Sequence, residues 1–174
     1  NNEKILSNGE KTFKKYLKKE FKKINDQHVV LPVEAERGSR GLYYTGRTIN
    51  VMLFLATLLT DSGRNQYNDE FFEKIDNSIN FMLDADVDNS LIYPWAKRNK
   101  NAFGDYKKQI TDPATYAWAP AYLNISKNSK LNTKIYSNKN IKNYFFNERK
   151  KYNRSRWTLI DSKCVHPGKW TKSN

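Results

Sequence analysis

The sequence predicts an all-α fold. Apolar residues recur at helical spacing in three successive stretches, residues 10–24, 46–60 and 69–84. Polar turns that contain glycine, asparagine or aspartate separate these stretches. With 174 residues the chain has the length of one domain, and we expect residues 1–174 to form a single domain.

The first predicted helix runs from Glu10 to Ile24. Residues 5–9 indicate the end of an earlier helix, with Gly9 just after its last turn. Lysines fill the positions between the apolar residues, and we expect them on a solvated outer face. The apolar face of this helix contains Phe13, Tyr16, Leu17, Phe21 and Ile24.

The second predicted helix, residues 46–60, is apolar on almost every side and should be buried on most of them. The third, residues 69–84, is apolar on one face, and Asn68 has the side chain of a good N-cap. An amphipathic helix, a buried helix and another amphipathic helix favour a double-layered arrangement of helical hairpins. A plain helical bundle would produce a similar pattern.

The stretch between the first two helices, residues 31–44, has the composition of a binding site. It places two arginines and two tyrosines in the eight residues from Arg37 to Tyr44. Arginine is a fixed fork of donors that suits carboxylates, and tyrosine can donate or accept a proton. The alternative is that these arginines are solvated or paired with Glu34 or Glu36.

The letters of this stretch, LPVEAERGSRGLYY, resemble the segment LP-x-E-x-x-R-x-x-R-A-L-x-Y of the alginate lyase family of polysaccharide lyases. The resemblance implies a partial (α/α) toroid in which Arg37 and Tyr44 line the cleft, and Arg40 matches the second arginine. The family often continues with His-Asn-Tyr, whereas this chain continues with Thr45, Gly46 and Arg47.

Residues 111–123 predict a turn followed by a short helix. Thr111 or Asp112 can cap the helix, and its sequence resembles a Y-A-W-x-A-P-Y-like helix of the same family. Trp118, with Arg40 and Arg47, is therefore a candidate substrate-binding residue. The resemblance spans about residues 5–123, and we expect an irregular C-terminal extension after it.

The resemblance implies β-elimination of an acidic uronate polymer such as alginate. We expect no cofactor and assign no metal ligands, and the sequence leaves open whether a metal ion assists. Arg37 would offset the charge of the sugar carboxylate in the transition state. Tyr44 would carry the proton between C5 and the leaving O4, because nearby arginines favour the phenolate. Both Arg37 and Tyr44 are thus the predicted catalytic residues.

The family also uses an Asn-Asn-His segment, which this sequence lacks. Its histidines, His28 and His166, lie in other contexts, and His28 is expected at the surface. The chain therefore resembles the C-terminal portion of a lyase. It could belong to a longer enzyme, pair with a second chain that supplies the missing helices, or bind acidic glycans without cleaving them. Exposed apolar sides of residues 49–59 would favour a covering partner.

A net charge of +13 favours an acidic partner. A basic nucleic-acid-binding module is the rival function, but no nucleic-acid motif is present and the lysines are spread over outer helix faces. A purely structural helical domain is a third possibility.

The single cysteine, Cys164, allows no internal disulfide and no zinc site. No apolar run is long enough to span a membrane, and the resemblance implies a secreted or periplasmic location, although no signal peptide is visible.

Overall fold

The computed structural model describes residues 2–96 and 110–143, which are mostly helical and confirm the all-α prediction. An antiparallel hairpin joins β1 (Lys22–Lys23) to β2 (Val29–Val30). Short 3₁₀ turns lie at Gly38–Arg40, Asn89–Leu91, Tyr93–Trp95 and Pro113–Tyr116. The helices are α1 (Asn2–Glu20), α2 (Pro32–Ala35), α3 (Gly41–Asp61), α4 (Asp69–Val87), α5 (Ala119–Ile125), α6 (Ser129–Ser137) and α7 (Lys139–Ile141).

Helix α1 is continuous through Gly9, so the predicted break at this glycine is wrong. A glycine inside a helix costs about 1 kcal/mol relative to alanine, and here the burial of Phe13 and Leu17 offsets that cost. The helix also ends at Glu20 instead of Ile24. The following residues form the β1–β2 hairpin, in which Lys22 pairs with Val30, and Ile24 stays 43% exposed.

Helix α3 begins at Gly41, well before the predicted start at Gly46. The residues that the sequence placed in a connecting loop are therefore partly helical. The expectation that this helix is buried on most sides is also only half right. Ile49 and Leu53 are in the core, whereas Leu58 is 48% exposed.

Helix α3 and the Pro113–Tyr116 turn approach each other closely at Gly46. A Cβ atom on Gly46 would overlap the carbonyl oxygen of Thr115 and would lie 3.2 Å from Met82 Cε. Glycine is needed here for space, since its φ angle is not in the left-handed region. The absence of a side chain therefore allows the turn to lie directly against the helix.

Helix α4 packs beside α3 and supplies a large share of the core. Its N-cap is Asn68, as predicted, because Asn68 Oδ1 accepts a hydrogen bond from Phe71 N at 2.9 Å. The helix continues to Val87, beyond the predicted end at Asp84. The largest fully buried side chains of the described core include Phe71, Ile75, Ile79, Trp118 and Tyr122.

The predicted irregular extension contains more helix than expected. Helices α6 and α7 follow α5 after short turns, and they bury Leu131, Ile135 and Ile141 against the core. Asn128 and Asn138 cap the two helices through their side-chain oxygens. Residues from 144 onward lie outside the described residues, so the extension beyond α7 stays a prediction. The toroidal arrangement of the hairpins stays a prediction too.

An electrostatic cluster around Asp84 ties the hairpin and α6 to α4. His28 Nε2 lies 2.9 Å from Asp84 Oδ2, and Lys134 Nζ donates to both Asp84 Oδ1 and Asn80 Oδ1. The His28 ring also packs edge-on against Phe81. The side chain of His28 is only 15% exposed, so the expectation of a surface histidine is wrong.

The same cluster lowers the pKa of Asp84 below its usual value. Burial of the carboxylate acts in the opposite direction, but hydrogen bonds from Lys134 and His28 outweigh it. The charged form of Asp84 is therefore favoured in the folded protein.

Among residues 2–96 and 110–143, no helix combines the length and the apolar character that a membrane span requires.

We expect Gly46→Ala to destabilise the protein by about 1–3 kcal/mol or more, because the added methyl group must displace the backbone at Thr115. Urea unfolding followed by circular dichroism measures this change. Gly9→Ala is the matched control, since a Cβ at Gly9 meets no atom within 4 Å. That variant should be more stable than wild type by roughly 0.5–1 kcal/mol. Equal effects of the two substitutions would contradict the packing assigned to Gly46.

We expect Asp84→Asn to flatten the acid limb of the stability profile. A carboxylate whose pKa is lowered by folding stabilises the native state above its unfolded pKa, and this stabilisation disappears as the pH falls through the folded value. The wild-type free energy of unfolding should therefore drop below about pH 4, and the variant should lack part of that drop. Urea unfolding over a pH series gives the slopes, with exposed Asp61→Asn as a control that keeps the wild-type slope.

Candidate functional site

The sequence-predicted site residues Arg37, Tyr44 and Arg47 lie at the start of α3 and in the turn before it. Helix α2 presents Glu34, and the 3₁₀ turn Gly38–Arg40 leads into α3. Gly38 has a φ angle of 60°, in the left-handed region that glycine adopts most easily. This backbone conformation directly follows Arg37. We call Glu34, Arg37, Tyr43, Tyr44 and Arg47 the Arg–Tyr cluster.

Arg37 lies against Tyr44, as the sequence hypothesis requires. Its guanidinium carbon is 4.2 Å from the centroid of the Tyr44 ring, which is the geometry of a cation–π contact. Its Nε is 3.2 Å from Glu34 Oε2. The two groups form an ion pair without a well-directed hydrogen bond, because Nε has no hydrogen-bond partner among the described residues. The alternative foreseen from the sequence, pairing with Glu34, is thus present together with the contact to Tyr44.

Arg47 extends the cluster by one turn of α3. Its Nη1 donates a hydrogen bond of 3.2 Å to Tyr43 Oη, and the guanidinium lies 5.7 Å from the centroid of that ring. The Tyr43 ring meets the Tyr44 ring edge-on at 5.2 Å. Two arginines and two tyrosines therefore form one continuous assembly of cations and rings.

Glu34 is the acidic member of the cluster, and its side chain is only 13% exposed. Its other oxygen, Oε1, accepts a hydrogen bond of 3.2 Å from Thr48 Oγ1 on α3. The pKa of Tyr16 on α1 is raised, first by burial of the phenol and then by the negative charge of Glu34, with Thr48 acting in the opposite direction. Glu34 thus pairs with Arg37 and adds to the rise in the pKa of Tyr16 that burial causes.

Tyr44 and Arg47 open onto a groove of about 610 Å³ between α1 and α3. We call it the α1–α3 groove. Helix α1 forms one wall and the exposed side of α3 forms the other. Its lining consists of Asn8, Gly9, Thr12, Phe13, Tyr16, Tyr44, Arg47, Thr48, Val51, Met52 and Leu55. A ligand in this groove would contact the phenol-bearing residue predicted to carry the proton.

Arg40 and Trp118, the other two predicted substrate-binding residues, do not line the α1–α3 groove. Arg40 is exposed on the 3₁₀ turn and is not part of the groove lining. Trp118 is fully buried, at 0% exposure, and its Nε1 donates a hydrogen bond of 3.0 Å to Thr115 O. This placement gives Trp118 a structural role behind the Gly46 contact and leaves no exposed surface for a substrate.

Sequence reasoning did not assign a role in the site to Thr48 or Tyr16. Thr48 lies four residues after Tyr44, so the two residues share a face of α3. That spacing could have identified Thr48 once the helix was known to begin at Gly41. The place of Tyr16 depends on the packing of α1 against α3, which has no local signal in the sequence.

A second, more polar cavity of about 370 Å³ lies where α6 and α7 meet the end of α4. Asp86 lines it and accepts a hydrogen bond of 2.7 Å from Asn138 Nδ2. Burial raises the pKa of Asp86, and hydrogen bonds from asparagine and tyrosine side chains oppose that rise. The contacts of Asp86 hold α7 in place, so we assign it a structural role.

Residues 2–96 and 110–143 contain no group of three or more histidine, cysteine, aspartate or glutamate side chains arranged to hold a metal ion. Comparisons of the chain with protein-family models, with curated proteins and with solved structures found no match. The likeness to alginate lyases therefore rests on the residues quoted from the sequence and stays a prediction.

We expect Glu34→Gln to lower the pKa of Tyr16 toward that of an ordinary tyrosine. The substitution removes the negative charge that disfavours tyrosinate, while the burial of Tyr16 remains, so the return should be incomplete. The Cζ chemical shift of labelled tyrosine, followed through an alkaline titration, reports this pKa. Glu36→Gln serves as the control, because Glu36 does not contribute to the Tyr16 shift. An unchanged pKa in the Glu34 variant would show that burial alone sets it.

Proposed function

We propose that this chain is the C-terminal portion of a lyase that cleaves an acidic uronate polymer by β-elimination. The observation that supports it best is the stacking of the Arg37 guanidinium on the ring of Tyr44. Tyr44 lines the α1–α3 groove, whereas Arg37 lies behind it and is not among the lining residues. The quoted motif places the same two residue types in a lyase cleft. A net charge of +13 also favours a polyanionic substrate.

The proposed reaction needs a neutralised carboxylate and a proton carrier. The C5 proton of the uronate moves to a base, the C4–O4 bond breaks, and a double bond forms between C4 and C5. Arg37 and Arg47 would face the sugar carboxylate, whose charge spreads as C5 loses its proton. Loss of one such donor typically lowers the rate about 10²–10³-fold.

Tyr44 is the proposed proton carrier. As phenolate it would take the C5 proton, and as phenol it would then protonate the leaving O4. The Arg37 guanidinium carbon lies 4.2 Å from the centroid of the Tyr44 ring, so the cation is next to the proposed proton carrier. Glu34 would hold Arg37 in this position through their ion pair.

Binding of an acidic glycan without cleavage is the second candidate function. The observation that favours it is the position of His28, which pairs with Asp84 and packs on Phe81 instead of joining the Arg–Tyr cluster. No histidine of the described residues belongs to that cluster, and the sequence lacks the family's Asn-Asn-His segment. Neutralisation of the substrate carboxylate would then depend on the arginines alone.

We expect Tyr44→Phe to abolish cleavage while binding of the polymer falls less than about threefold, because the ring and its contact with Arg37 remain. The assay measures the absorbance of the unsaturated uronate during incubation with polymannuronate, polyguluronate or glucuronan. Affinity electrophoresis in gels containing the polymer measures binding. Tyr136→Phe is the matched control, since Tyr136 is half exposed on α6 outside the cluster.

Three outcomes separate the possibilities. Cleavage that survives in Tyr44→Phe would refute the proton-carrier assignment. Binding without any absorbance rise in wild type, weakened by Arg37→Gln, would support the non-catalytic alternative. Salt-sensitive binding to DNA, with no binding to any of the uronate polymers, would overturn both and favour a nucleic-acid-binding module.

A further inference from the structure

The α1–α3 groove has a largely apolar part in addition to the residues of the Arg–Tyr cluster. Val51 and Leu55 in its wall are each 37% exposed, and Leu58 continues their row on α3 at 48%. These residues follow one another at helical spacing on a single face. Ile5, 68% exposed, extends the apolar surface on α1, four residues before Gly9. Exposed apolar surfaces of this kind commonly mark a site for a partner or a ligand.

The charges around the groove are arranged unequally. Arg47 is the one charged side chain among the lining residues that the structure describes, and it lies toward the start of α3. The rest of that lining is apolar or carries a hydroxyl or amide group. A groove of this kind is complementary to a molecule with an anionic end and an apolar body.

The dimensions agree with a small amphiphile. The path along α3 from Arg47 to Leu55 covers eight residues, or about 12 Å at the helical rise. The volume of about 610 Å³ falls within the range of small-molecule sites. Gly9 leaves the opposite wall open, because a Cβ at this position would meet no atom within 4 Å.

We propose that the α1–α3 groove binds an amphiphilic carboxylate, such as a fatty acid. The carboxylate pairs with Arg47, and the alkyl chain lies along Val51, Met52 and Leu55. A uronate is the poorer match for this apolar part, since its many hydroxyl groups would lose water without gaining partners there. The proposal does not depend on the lyase reaction, although Tyr44 and Arg47 belong to both proposed sites.

The test uses isothermal titration calorimetry of the full chain with dodecanoate below its micellar concentration. We expect saturable binding to one site. Methyl dodecanoate, which keeps the chain and lacks the charge, should bind at least about tenfold more weakly, as should hexanoate with its shorter chain. Equal affinity for the ester and the acid would overturn the assignment of Arg47 as the carboxylate partner.

Two variants locate the site. Arg47→Gln should weaken dodecanoate binding by about ten- to hundredfold, whereas exposed Arg40→Gln should leave it unchanged. Gly9→Leu places a side chain in the groove and should abolish binding, and a thermal melt with retained cooperativity shows that this variant is folded. Binding that survives Gly9→Leu would place the ligand elsewhere and overturn the proposal.

A protein occupant is the competing outcome. Sedimentation showing a dimer that Leu58→Asp dissociates, together with no dodecanoate binding, would assign the groove to a second copy and overturn the amphiphile. Failure of the lyase proposal is measured separately, by the uronate absorbance assay. Dodecanoate binding with no uronate cleavage would leave the groove assignment intact.

Discussion

The close approach of α3 and the Pro113–Tyr116 turn at Gly46 is the constraint on which the rest of the structure depends. It brings the backbone carbonyl of Thr115 into the space that the Cβ atom of any other residue at position 46 would occupy. Trp118 then bonds to the same carbonyl and fills the core beside it. One side of α3 is therefore buried in the core, and the opposite side faces α1 and solvent.

That division of α3 produces the candidate site. Residues on the core side of α3, such as Ile49 and Leu53, are buried. Tyr44, Arg47 and Val51 point away from that side and line the groove with α1. The helix therefore carries one cation, Arg47, near its start and an apolar row toward its end. The surface proposed to take an anion and the surface proposed to take an alkyl chain are adjacent on one helix for this reason.

Electrostatic pairing adds to apolar packing in the short elements of the fold. The β1–β2 hairpin and α6 are short, and both are joined to α4 through Asp84. Glu34 plays a comparable part for α2, because it bonds Thr48 on α3 and pairs with Arg37. In both clusters a partly buried carboxylate is satisfied by groups from other elements, which makes its position specific to the folded state.

Much of the helical content could be predicted from the sequence by itself. The apolar spacing of residues 69–84 and the cap at Asn68 identified α4, because both signals are local. The same local rules predicted the break at Gly9 and the last residue of α1 wrongly, and they placed the start of α3 too late. At Gly9 and around Gly41 the packing of neighbouring elements overrode the glycine and arginine signals.

The motif determined which residues to suspect, and the tertiary structure decided which of them meet. Arg37 and Tyr44 are seven residues apart and lie in contact only because the 3₁₀ turn at Gly38 precedes an early start of α3. Trp118 is buried in the core because the absence of a side chain at Gly46 allows the Pro113–Tyr116 turn, which precedes Trp118, to pack against α3. The groove depends on a contact between α1 and α3, residues distant in sequence, and apolar periodicity gives each helix a face without saying which face meets which.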